Sequence, residues 1–108
     1  MLEHKKYEPV LSQPYARRWE IWQELSKEQF DIYINKNKDY GDAFTDGIKL
    51  IGPISLVTRC FDKVMRMITL SMNPAMVKSE SFEDSVRDMI NYGMMYLMHG
   101  REEDESNR

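Results

Sequence analysis

Apolar residues recur along most of this chain at helical spacing. From Ile54 onward, Ile54, Val57, Phe61, Val64, Ile68 and Met72 follow one another at steps of three or four. That is the mark of a stripe which one helix face turns toward a core. Leu56, Cys60, Met67 and Leu70 make a second stripe beside it. The polar remainder is a narrow face of Ser55, Arg59, Asp62, Arg66 and Thr69, with Lys63 at its edge. Pro53 suits the first position of a helix, because its missing N–H has no partner there in any case. Asn73-Pro74 stops the pattern, since a proline disfavours helical geometry at the residue before it. The spacing therefore predicts a helix over about 53–73.

Upstream, residues 1–14 hold Pro9 and Pro14 and no period, and read as an arm. Trp19, Trp22 and Leu25 then recur every three residues, and Ser26 with Gln29 fits a capping box. The pattern favours a short helix joined to a longer one that carries Phe30, Tyr33 and Ile34 and ends near Lys38, with Gly41 as terminator. Residues 39–52, rich in Asp and Gly, read as irregular. Ser81 opens the last helix, with Glu83 and Asp84 where the helix dipole favours anions. Its core face is Phe82, Val86, Met89 or Ile90, Gly93 and Leu97. After Asn91 the sequence YGMMYLM is apolar almost all round, which leaves no side for water. A small monomer cannot enclose such a helix, so the expected fold is an all-α bundle of three to four helices that forms a homo-oligomer through this half-helix. The division is an arm (1–14), a helical domain (15–100) and a charged tail (101–108) read as frayed.

Length and composition narrow the classes. At 108 residues the chain suits one domain, and 42% hydrophobic with 31% charged residues is ordinary for a folded protein. A net charge of −3 gives no field that would draw it to nucleic acid or anionic lipid. Cys60 stands alone, which excludes an intrachain disulfide and suits a reducing, cytoplasmic setting. The start, MLEHKKYEPV, lacks a signal-like apolar run, and no run is long enough for a bilayer. The nine methionines read as core and subunit contact. His4 and His99 lack ligand spacing, and YARRWEIW reads as a packed helix face rather than a nucleic-acid stacking platform.

The remaining polar residues carry the candidate chemistry. Asp84, Asp88 and Asn91 stand at i, i+4 and i+7 and share a face of the last helix. Antiparallel packing against helix 53–73, favoured by the short connection, sets them opposite Arg59, Asp62 and Arg66. Such facing charges serve either as ordinary inter-helix ion pairs or as a divalent-metal and phosphate site. In the second case oxygen ligands suit Mg²⁺, which takes one or two carboxylates and completes its shell with water and phosphate.

Three segments together resemble a known family: KNKDYGDAF at 36–44, FDKVMRM at 61–67 and ESFEDSVRDMINY at 80–92. They are similar to the small nucleotide-modification-associated domain found largely in phages and prophages, and the likeness covers about residues 27–100. That family looks like a branch of the all-α, MazG-like nucleoside triphosphate pyrophosphohydrolases. The resemblance implies an oligomeric bundle, a nucleotide ligand, Mg²⁺, and cleavage of a nucleoside triphosphate to monophosphate and pyrophosphate. It implies Asp84 and Asp88 as metal ligands with Asp62 completing the acidic set, and Asn91 beside Asp88 orienting water or substrate. Lys63, Arg66 and Lys38 would hold phosphates, Tyr40 or Phe44 would stack on the base, and Asp39 would keep the loop's shape. The MazG-like enzymes carry Glu-x-x-Glu and Glu-x-x-Asp on successive helices. Here the middle helix offers only Asp62 and the last offers Asp88-x-x-Asn91. The alternative reading is a non-catalytic phage protein that binds a host protein or sequesters a nucleotide.

Overall fold

The computed structural model describes residues 9–77 and 80–107, the side chains of 40, 76 and 77 excepted, and among them there is no strand. The all-helical expectation holds, with four longer helices and a one-turn segment. Helix α1 runs unbroken over Tyr15–Tyr40. The sequence favoured two helices here, because Ser26 and Gln29 look like a capping box. No glycine or proline interrupts 15–40, however, so nothing ends the first helix before Ser26. Gly41 terminates α1 with a left-handed φ of 62°, its N–H donating to the Asn37 carbonyl at 2.8 Å.

The stretch read as irregular contains a second helix, α2, over Ala43–Ile51. Its Asp and Gly content masked Phe44 and Ile48, which lie one turn apart and are both buried. Gly47 weakens helix propensity but has a packing role, since a Cβ there would lie 2.9 Å from Ser55 Oγ. Gly52, φ 76°, ends α2 as Gly41 ends α1. Helix α3 follows over Ile54–Ser71, close to its predicted span. The side chain of Asn73 accepts from the Ala75 N–H at 3.2 Å and starts the single turn α4, Pro74–Val77. Helix α5 covers Glu80–Ser106 and takes in most of the charged tail that was read as frayed.

Helices α3 and α5 pack antiparallel, with Lys63 beside Asp88 and Arg59 beside Tyr92. Helix α2 covers one end of that pair, and α1 crosses α5 at mid-length. The main correction concerns which face of α3 is buried. The inward stripe is Leu56, Cys60, Met67 and Leu70, all partly buried. The stripe predicted as core lies on the far side, with Val57 and Phe61 more than half exposed. Periodicity identifies an apolar face but not its partner, and α3 has two such faces while α5, α2 and α4 together leave the second exposed. Phe44 and Ile48 are the buried apolar residues among those described, and Ile90 and Leu97 of the predicted α5 core face are also exposed. Among the described residues no helix is long and apolar enough to cross a membrane.

Candidate functional site

Helices α1, α2, α3 and α5 enclose a cavity of about 340 Å³. Its floor is Asp88, which α5 projects between α1 and α3. The Asp88 carboxylate is bridged by Lys36 of α1 on one oxygen and by Lys63 of α3 on the other, at 2.9 Å for Lys63. Partial burial works to raise the Asp88 pKa, but the hydrogen bonds and charges of Lys36 and Lys63 outweigh it and hold it below the usual carboxylate value. Asp88 is therefore ionised at neutral pH and keeps two ammonium groups in place.

Arg59 supplies a third cation on the cavity wall. Its guanidinium carbon lies 5.4 Å from the ring centre of Phe44 and 5.8 Å from that of Tyr92. Those two rings stack at 5.4 Å with 9° between their planes, tying α2 to α5. The wall thus carries Lys36, Arg59 and Lys63 against one carboxylate, an excess of positive charge in a chain whose net charge is −3.

A buried amide network sets how α1 sits on α5. Gln29 donates to Asn91 Oδ1 and to the Arg87 carbonyl, each at 3.0 Å, and Asn91 Nδ2 donates back to the Gln29 carbonyl at 3.3 Å. Arg87 closes the network by donating to Gln29 Oε1 at 2.8 Å and to Glu28 at 3.1 Å. Asn91 lines the cavity, but both atoms of its amide already have partners in Gln29. Its geometry is that of a clamp between helices rather than of a group orienting water.

The structure gathers some of the predicted residues and scatters others. Asp88, Asn91, Lys63 and Phe44 line the cavity, whereas Asp84, Asp62, Arg66, Lys38 and Asp39 are exposed and do not. Phe44 is 6% exposed and stacked on Tyr92, so its ring is core rather than a platform for a base. Tyr40 ends α1, and its side chain lies outside the described residues. The loop is braced by Asn37 donating to Asp42 Oδ1 at 2.9 Å, and Asp39 is exposed. Sequence reasoning missed Lys36 and Tyr33 as site residues, whereas Arg59, offered as part of the basic face opposite Asp84 and Asp88, does line the cavity. Lys36 follows Tyr33 by three within the predicted helix and shares its face, but no local pattern shows that this face meets Asp88 of α5.

The residues of one chain do not fit the implied Mg²⁺ site. Among the described residues no three His, Cys, Asp or Glu side chains come together as a metal-holding group. Asp88 is committed to two lysines, and Asp84 and Asp62 face outward.

Comparison with curated proteins and with solved structures gives no match. Comparison with protein families gives one, to the family described as nucleotide modification associated domain 1, over residues 36–99. That span begins at Lys36 and takes in α2, α3 and the cavity-lining part of α5, leaving out Tyr33 alone of the lining residues named above. With more than half its length matched, cavity wall included, the chain belongs to the nucleotide modification associated domain 1 family.

Proposed function

We propose that the cavity binds the phosphate groups of a nucleotide. The observation that carries this reading is the convergence of Lys36, Arg59 and Lys63 on one cavity, the two lysines bridged by Asp88. Asp88 orders the two lysines in advance, so a phosphate meets charges already held in place and loses less affinity to ordering them. Charge-assisted N–H···O bonds of this kind are about twice as strong as neutral ones. Phe44 and Tyr92 are stacked on each other, so Tyr33, tilted at 40° against Phe30 rather than stacked, is the cavity ring with a face to offer a base. The family's description, which concerns nucleotides, supports the ligand class.

Binding without cleavage is the form of the proposal that suits the donor set. The MazG-like reading, with Mg²⁺ and pyrophosphate release, calls for the carboxylates Asp84, Asp88 and Asp62 together, and the described residues of one chain do not gather them. The direct test is a thermal melt with a nucleoside triphosphate, with the bare nucleoside and with neither. A triphosphate at about 100 times its Kd should stabilise by about 2.7 kcal/mol, and the nucleoside should do far less. Equal shifts from both ligands, or none from either, would remove the phosphate reading. Pyrophosphate release in the same samples would restore the hydrolase.

A further inference from the structure

We infer that the cavity holds a single phosphate group, so that a nucleoside monophosphate already carries everything the site recognises. This rests on the phosphate reading and narrows it. The first ground is charge. Lys36, Arg59 and Lys63 line the cavity against the one carboxylate of Asp88, which leaves two positive charges uncompensated. A phosphate monoester carries a charge of about −1.5 to −2 at pH 7, which matches that excess. The extra charge of a triphosphate finds no partner on this wall.

The second ground is spacing. Lys36 and Lys63 bind the two oxygens of the same carboxylate, so both ammonium groups lie within reach of one small anion. Each ammonium has three donors, and Asp88 leaves some of them for a ligand. Arg59 lies over the rings of Phe44 and Tyr92, and its N–H groups have no acceptor among the described residues. A chain of three phosphates needs cations spread along its length. Lys38 and Arg66 lie outside the cavity, and the other lining residues are uncharged. The third ground is room. A cavity of about 340 Å³ is near the lower end of the range for ligand pockets, about 300–1,000 Å³. A triphosphate still enters by one phosphate, but its others add nothing.

Titration calorimetry on the full chain, at fixed ionic strength and without divalent cations, tests this. The probes are the nucleoside, monophosphate and triphosphate of each common base, and inorganic phosphate. Without metal, plain attraction favours the more highly charged triphosphate, so the expected order runs against it. For the base bound best, the monophosphate should bind at least as tightly as the triphosphate. It should bind about tenfold or more tighter than the nucleoside, the worth of one charged hydrogen bond. A triphosphate bound more tightly than the monophosphate overturns the inference and leaves the phosphate reading standing. Inorganic phosphate bound as tightly as the monophosphate also overturns it, because the site then reads no nucleoside. No binding of any probe, or equal binding of nucleoside and monophosphate, overturns the phosphate reading and this inference with it.

Discussion

Asp88 and Asn91 show how much a side chain's role depends on its neighbours. Both stand on the same face of α5, yet one holds two lysines and the other joins two helices. Replacing Lys63 with Ala removes a cavity cation that is 24% exposed, and should weaken triphosphate binding by about tenfold or more, the worth of one charged hydrogen bond. Lys38→Ala, outside the cavity, should leave affinity unchanged in the same calorimetric titration. Asn91→Leu leaves one N–H of the buried Gln29 amide without its acceptor and should cost about 1–3 kcal/mol in urea unfolding. Asp88 sets the acid limb of stability. Its folded pKa lies below its unfolded value, so its contribution is complete above the ordinary carboxylate value near about 3.9 and fades as pH falls through the lowered one. Melting curves taken through that window should therefore flatten in Asp88→Asn. The sequence placed Lys63, Arg59 and Asp88 on facing helices, although it offered Asp88 as a metal ligand and the structure pairs it with two lysines. Lys36 was beyond reach, because its partner Asp88 lies 52 positions away and no local pattern reports how α1 packs on α5.

Element boundaries followed local chemistry wherever one residue decides the matter. Gly41 and Gly52 end α1 and α2 with positive φ, and Asn73-Pro74 ends α3. A Cβ at Gly52 meets nothing within 4 Å, so Gly52→Ala tests the backbone alone. It should destabilise by about 1–3 kcal/mol, the cost of a positive φ with extended ψ that glycine alone adopts readily, and Gly52→Asn by a similar amount. Equal melting of all three chains would contradict that account. Elements were misread where two local signals compete. In α2 the turn-forming Asp and Gly hid a two-residue apolar face, and in α1 a capping motif occurs within a helix that nothing interrupts.

For the whole molecule, the helical class was legible and the packing was not. Apolar period reports that α3 has buried faces, but one chain covers only the inner one, and the radius of gyration is 16.8 Å where a compact domain of this length has about 13 Å. The small core leaves much apolar surface uncovered, the outer stripe of α3 included. The ligand is the central claim, and isothermal titration of a nucleoside triphosphate into wild type and into Lys36→Ala/Lys63→Ala tests it most directly. The account predicts measurable binding to wild type, weakened by added salt and lost in the double variant with its helical spectrum intact. Unchanged affinity in that variant, or binding of the bare nucleoside as strong as that of its triphosphate, would contradict it.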